Sequence, residues 1–278
     1  MAFMEGLGES RPSVRAFDRK TADPALRAAK RADYARFGVT GCESGSEALE
    51  GAGAVLSLVT ADQALAAAKA ASRTIGPGAL YFDLNSVAPE TKRAAAAAIE
   101  AAGARYLDVA VLSPVRPLLH RAPLLVSGPA AEAGAAALRA IGFASVEVAT
   151  GPVGAASAIK MIRSVMIKGI EALSAECMLA AHAAGVADAV IASLDASWPG
   201  ADWRRRADYN LDRMLVHGLR RAAEMEEVVK TLESLGTGAA LSRATVERQR
   251  ALGQLALASP PEGLPAKVAA ILAAQAPA

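Results

Sequence analysis

Residues 80–111 read Leu80-Tyr-Phe-Asp83-Leu-Asn85-Ser86-Val-Ala-Pro89-Glu-Thr-Lys92-Arg-Ala-Ala-Ala-Ala-Ala-Ile99-Glu-Ala-Ala-Gly103-Ala-Arg105-Tyr-Leu-Asp108-Val-Ala-Val111. A short apolar run ends in Asp83, Pro89 opens an Ala-rich stretch, Gly103 closes it, and a second apolar run follows. Pro at the start and Gly just past the end bracket a helix. Strand, helix and strand in this order form a unit whose strands run parallel, because the helix carries the chain back across the sheet.

The alternation extends to both sides of this stretch. Strands are expected over 14–18, 55–59, 124–127 and 146–148, and helices over 24–36, 61–74, 89–102 and 130–141. After Gly151 the strand signal stops. Helices are expected over 155–184, 208–235 and 241–255, punctuated by Gly185, Pro199-Gly200 and Gly236, with a last short helix beyond the turn Ser259-Pro-Pro-Glu-Gly-Leu-Pro. The expected architecture is an α/β Rossmann-like, doubly wound parallel sheet over 1–150, followed by an all-α domain over 151–278.

The chain has 278 residues, 53% hydrophobic and 21% charged, with a mean hydropathy of +0.26. That length holds two cores of ordinary size. A net charge of +2 offers no basic field for nucleic acid or an anionic membrane. No apolar run reaches the roughly 18 residues of a membrane span. Cys42 and Cys177 match no metal spacing, and the three histidines are scattered, so no metal is expected. The opening Met-Ala-Phe-Met-Glu lacks a basic region followed by an apolar core, and a cytoplasmic location is expected.

In an open parallel sheet, ligands bind beyond the carboxyl ends of the strands. That rule selects Asp18 and Arg19, Val59 and Thr60, and Asn85 and Ser86 as cofactor-binding candidates. Asp18 suits a ribose 2′-hydroxyl and Arg19 a 2′-phosphate, which leaves NAD and NADP both open; a solvated strand-end turn fits equally. Asn85 and Ser86 offer polar groups to a nicotinamide ribose, and they are also ordinary turn residues. No Gly-x-Gly-x-x-Gly occurs: Gly6-Leu-Gly8 has no strand before it, and Arg11 stands where the third glycine belongs. The stretch from Met1 to about Glu9 reads as the rest of the helix that follows such a loop. The first strand and the loop are then expected upstream of Met1, through a start codon placed too far downstream. In this strand order the first strand is central, so a chain without it has a gap in its sheet. Weak dinucleotide binding is the expected consequence.

Two further stretches carry chemistry. Gly151-Pro-Val-Gly154 leads into a helix on which Ser157, Lys160, Ser164, Lys168 and Glu171 share one side. A Lys near the start of a buried helix has the lowered pKa of a proton-transfer group; a polar stripe facing water fits the same spacing. The loop after the strand at 105–111 carries Ser113, Arg116, His120 and Arg121, a set suited either to a substrate carboxylate or to solvent.

Together these pieces resemble the β-hydroxyacid dehydrogenases, which include 3-hydroxyisobutyrate and 6-phosphogluconate dehydrogenases. Tyr81 to Pro89 resembles the family's Asp-x-Ser-Thr-x-x-Pro segment beside the nicotinamide. Gly151 to Lys160 resembles the glycine-led helix that carries its catalytic lysine. Lys160-Met-Ile-Arg-Ser-Val-Met-Ile-Lys-Gly-Ile-Glu-Ala-Leu and His217-Gly-Leu-Arg-Arg-Ala-Ala-Glu-Met225 resemble a poorly characterised phosphogluconate dehydrogenase-like branch. The resemblance implies an NAD(P)-dependent oxidoreductase acting on a hydroxy acid or related alcohol. Lys160 is then general acid/base, Ser164 stands where the family has Asn, and the helical domain forms a homodimer. The family's Asp-x-Pro-Val-Ser-Gly-Gly loop reads Asp108-Val-Ala-Val-Leu-Ser-Pro here, and Pro114 has no N–H to offer, so the substrate clamp is expected around Arg116, His120 and Arg121. Two rivals are a degenerate, non-catalytic dimeric binding protein and an imine reductase-like enzyme; imine reductases replace the lysine.

Overall fold

A computed structural model of the chain describes residues 1–8, 11–257 and 259–275. It contains two compact units, Met1–Lys160 and Met161–Ala278. In chain order the first holds α1 (Ala2–Leu7), β1 (Arg15–Ala16), α2 (Pro24–Arg36), β2 (Thr40–Gly41), α3 (Gly45–Leu49), β3 (Ala54–Ser57), α4 (Ala64–Ala71) and β4 (Leu80–Asp83). It continues with α5 (Pro89–Ala101), β5 (Arg105–Val111), α6 (Val115–Leu118), β6 (Leu124–Ser127), α7 (Ala131–Ile141) and β7 (Val146–Val148). Helix α8 (Ala155–Ala183) starts in this unit and runs through the division at 160/161.

Strands β3 to β7 form one sheet in chain order. The pairs β3·β4, β4·β5 and β6·β7 are parallel, whereas β5·β6 is antiparallel, which corrects the wholly parallel sheet expected from the sequence. The reason is the connection. Val111 lies opposite Leu124, so the chain turns back beyond the carboxyl end of β5 and needs no helical crossover. Strands β1 and β2 pair with each other in a separate two-stranded sheet. Among the described strands, β3 and β7 are the edges of the five-stranded sheet. The strand expected over 14–18 shortens to Arg15–Ala16, because Asp18 instead caps a 3-10 turn and accepts the Lys20 N–H. Helix α1 ends at Leu7; Glu9 lies outside the described residues.

Alternation along the strands builds two cores. Phe82, Leu107, Val109 and Val126 point to one face, where Phe3 and Leu7 of α1, Ala135 and Leu138 of α7, and Phe143 cover them. Tyr81 and Tyr106 point to the other, against Ala68 and Ala71 of α4 and Ala95, Ala96 and Ile99 of α5. Both faces are covered, as in a doubly wound fold.

The second unit contains the rest of α8, α9 (Ala187–Ser197), α10 (Trp203–Ser234), α11 (Ala240–Gln254) and α12 (Leu264–Gln275). Its largest core joins Ala175 and Met178 of α8, Leu211 and Met214 of α10, Leu252 of α11, and Val268 and Ile271 of α12. Among the described residues no helix is long and apolar enough to cross a membrane, and no cluster of His, Cys, Asp and Glu could hold a metal ion.

Candidate active site

The parallel register sets Asp83 at the end of β4 beside Asp108 on β5. Both carboxylates are completely buried, and the equally buried Lys92, one turn into α5, lies between them. Its ammonium donates to the Asp83 carbonyl at 2.6 Å and to Asp83 Oδ1 at 3.0 Å, and stands 3.4 Å from Asp108 Oδ1. Tyr106 donates its hydroxyl to Asp83 Oδ2 at 2.6 Å, and burial first, then the adjacent carboxylates, hold that phenol far above its ordinary pKa. Buried charges persist where they are paired and hydrogen-bonded, and here every member has a partner.

The start of α8 rests on this cluster. Asp108 Oδ2 accepts the N–H groups of Gly154 at 3.1 Å and Ser157 at 3.0 Å, and Oδ1 accepts the Ser157 hydroxyl at 2.6 Å. The Ser127 hydroxyl donates to Asp108 at 3.1 Å and accepts the Ala156 N–H at 3.0 Å. Three N–H groups that a helix start leaves without internal partners are therefore satisfied by side chains of β5 and β6. The second negative charge of the cluster lies at the positive end of the helix dipole.

Lys160 follows one turn later and is half-buried. Of the stripe on its side of α8, Ser157, Ser164, Lys168 and Glu171 are all buried, so this stripe is not a water-facing surface. Lys168 stands 3.0 Å from Glu224 Oε2 and donates to Ser164 Oγ at 3.4 Å. Burial lowers its pKa against the opposing pull of Glu224. Glu171 accepts from Arg221 Nε at 3.1 Å, from Arg221 Nη2, and from Gln249 Nε2 at 2.8 Å.

The cofactor candidates cluster at the strand ends. Asn85 is fully engaged: its Oδ1 accepts the Val59 N–H at 2.6 Å and its Nδ2 donates to Ser57 Oγ at 3.0 Å, which clamps the end of β3 to that of β4. Val59 and Thr60 are exposed beside it. Ser86 Oγ is buried with no hydrogen-bond partner. Asp18 caps its own turn and pairs with Lys30 at 3.1 Å; burial raises its carboxyl, but the Lys20 N–H and the Lys30 ammonium outweigh it and hold the group below its ordinary value. Arg19 donates to Gln63 Oε1 at 2.7 Å.

The expected substrate loop lies between β5 and β6. Arg116 pairs with Glu5 of α1 at 2.5 Å, and His120 packs where a side chain on Gly6 would fall. Arg121 is exposed, and Ser113 Oγ donates to the Pro114 carbonyl at 3.2 Å.

Residues 2–148 match the NAD binding domain of 6-phosphogluconate dehydrogenase, and residues 181–252 match a domain of unknown function, DUF1932. The chain belongs to the 6-phosphogluconate dehydrogenase-type NAD-binding family. It is similar to the crystal structure of a conserved hypothetical protein from Sinorhizobium meliloti 1021, with 37% identity and a TM-score of 0.75 over 98% of this chain and 92% of that one. The conserved protein MTH1747, of unknown function and described as structurally similar to 3-hydroxyacid dehydrogenases, is 29% identical with a TM-score of 0.69 over 91% of each chain. A 3-hydroxyisobutyrate dehydrogenase of Mycobacterium tuberculosis, solved with L-serine, shares the fold at 19% identity and a TM-score of 0.70, over 99% of this chain and 94% of that one. No curated protein matches the chain. Membership of the 6-phosphogluconate dehydrogenase-type family makes this chain a dehydrogenase-type oxidoreductase with an NAD-binding domain.

The strand ends of this family member fit such a cofactor at one point in particular. The unpartnered Ser86 hydroxyl, at the end of β4, is a polar atom for which a bound ribose or amide supplies the missing partner. The buried group formed by Asp83, Lys92, Asp108 and Ser127 carries no motif in the sequence. Between Glu90 and Arg93, Lys92 looks like one charge of a solvated face, and only the strand register shows otherwise.

Proposed function

We propose that this chain oxidises or forms the hydroxyl-bearing carbon of a small hydroxy acid or related alcohol, with Lys160 as general acid/base. The observation that carries the reading is the seating of α8. Lys160, a half-buried residue, stands one turn beyond a helix start tied to the strand ends, on a stripe that is otherwise buried. Nicotinamide, when bound, supplies the hydride acceptor or donor. In oxidation the neutral Lys160 amine takes the hydroxyl proton as the C–H pair leaves as hydride and the C=O bond forms; in reduction its ammonium returns that proton to oxygen. Ser164, one turn on, orients the hydroxyl. Asp18 or Arg19 meets the adenosine ribose, while Val59, Thr60, Asn85 and Ser86 border the nicotinamide end. Ser113, Arg116, His120 and Arg121 of the loop between β5 and β6 meet the substrate carboxylate, with Arg116 also pairing with Glu5. A homodimer accounts for the exposed apolar line Ile159, Ile162, Met166 and Leu173 along α8.

A second reading, a non-catalytic dimeric binding protein, is favoured by the separation of β1–β2 from β3–β7. One preparation decides between them. NADH and NADPH are titrated in, and small β-hydroxy acids are offered with NAD⁺ and NADP⁺ to the native chain and to Lys160→Ala. The enzyme reading expects turnover that falls at least about 100-fold in the variant. A change of only a few-fold removes the lysine from the mechanism, and absence of both binding and turnover selects the second reading.

A further inference from the structure

We infer that Asp108, held in place by Lys92, is the positioning residue for Lys160. The inference rests on the reading of Lys160 as acid/base. Asp108 touches the first turn of α8 at three atoms, the N–H groups of Gly154 and Ser157 and the Ser157 hydroxyl. Ser157 and Lys160 are three residues apart and share a side of the helix, so fixing one fixes the height and rotation of the other. The anchor is itself immobilised. Asp108 lies in register with Asp83 on one side and Ser127 on the other, and the Lys92 ammonium joins the two carboxylates.

Ordinary caps come from the residue just before the helix and move with it. Here Asp108 is 46 residues before Gly154 and lies on the central strand of the five. The cap therefore ties the helix start to the rigid sheet. Such ties matter to catalysis because displacement of a reacting group by about 1 Å can cost roughly 100-fold in rate. Lys92 has a distinct part. Its nitrogen, 3.0 Å from Asp83 and 3.4 Å from Asp108, bridges the two carboxyl groups that lie side by side and holds Asp108 where it accepts all three bonds.

The test uses Asp108→Ala, Asp108→Asn and Ser157→Ala. Amide hydrogen exchange at Gly154, Ala156 and Ser157 is measured together with acetylation of each lysine by acetic anhydride, read by peptide mass mapping. In Asp108→Ala, exchange at the three amides is expected to rise at least about tenfold. The acetylation rate of Lys160 is expected to change while that of the exposed Lys230 stays constant. Ser157→Ala moves both readouts less in the same direction, and Asp108→Asn, which keeps one acceptor oxygen, recovers part of the protection. With a substrate in hand, kcat per folded molecule drops about 10- to 100-fold in Asp108→Ala at unchanged KM for the dinucleotide. Unchanged exchange and unchanged Lys160 acetylation in all three variants overturn the inference, as does a rise shared equally by every lysine. If Asp108→Ala does not fold, Asp108→Asn and Ser157→Ala decide. These readouts need no turnover. An inert Lys160→Ala result therefore removes the acid/base reading, while the anchoring of α8 stands or falls separately.

Discussion

At the scale of single residues, Glu171 shows how much of the helical unit depends on charges kept out of water. Its carboxylate meets Arg221 through two nitrogens and Gln249 through a third, and Glu171 and Arg221 are only 4% and 6% exposed. Removing one partner of a buried pair strands the other, at a cost of roughly 3–5 kcal/mol, whereas replacing both with apolar side chains of similar volume is close to neutral. Glu171→Ala is therefore expected to lower stability in urea by about that amount, and Glu171→Met with Arg221→Leu to recover most of it. A single variant costing less than about 1 kcal/mol contradicts the picture. The same physics explains what remained hidden at this scale. Lys160 stands out in the sequence as a proposal because it follows a glycine-led helix start. Lys92, Arg221 and Glu171 look in sequence like charges on any amphipathic helix, and their burial is decided by partners 9, 16 and 50 to 78 residues away.

At the scale of elements, punctuation marked the boundaries well. Pro24 opens α2 and Gly103 follows α5, and both elements lie within a residue of expectation. Direction was less legible. That β6 runs antiparallel depends on which end of β5 it meets, a property of the connection and not of its own Leu-Leu-Val-Ser. Helix α3 lies outside the expected elements although Ser44 and Glu47 announce it: the Ser44 hydroxyl accepts the Glu47 N–H at 3.1 Å, the half of a capping box that the sequence spells out. The crossing of α10 and α11 depends on glycine in a way that can be tested. A Cβ on Gly253 would sit 2.5 Å from Leu219 N and 2.9 Å from the Gly218 backbone, and helix backbones cannot yield without moving apart. Gly253→Ala is expected to destabilise by about 1–3 kcal/mol. Gly169 lies inside α8 with nothing within 4 Å of an added Cβ, so Gly169→Ala is expected to stabilise by about 0.5–1 kcal/mol. Thermal melts of the two variants should move in opposite directions; a shared direction would mean that helix propensity, not the close approach, governs Gly253.

At the scale of the whole molecule, the buried titratable groups set how the chain responds to base. Tyr81 and Tyr106 stack with ring centroids 5.9 Å apart in the core of the first unit. Burial pushes the Tyr81 phenol up to about 12 and raises Tyr106 further, because Tyr106 also faces the Asp83 and Asp108 carboxylates. Both are raised on folding, so above the ordinary phenol value near pH 10 the folded chain binds more protons than the unfolded one. Their contribution to stability is complete below about pH 10; that of Tyr81 is lost as pH climbs through about 12, and that of Tyr106 higher still. Lys168 acts in the opposite sense. Its folded pKa is lowered by burial, so the unfolded chain binds the extra proton, and stability rises with pH until the ordinary lysine value near 10.4 is passed. The two effects meet near pH 10, with Lys168 adding stability up to that point and the tyrosines removing it beyond. Of the four tyrosines, Tyr34, whose phenol burial also pushes up to about 12, Tyr81 and Tyr106 are expected to stay un-ionised until the fold is lost, so most of the tyrosinate absorbance appears together with the loss of the circular dichroism signal. Tyrosinate absorbance for all four emerging near pH 10, while the dichroism signal is still native, would place both phenols in contact with water and dissolve the buried network that seats α8.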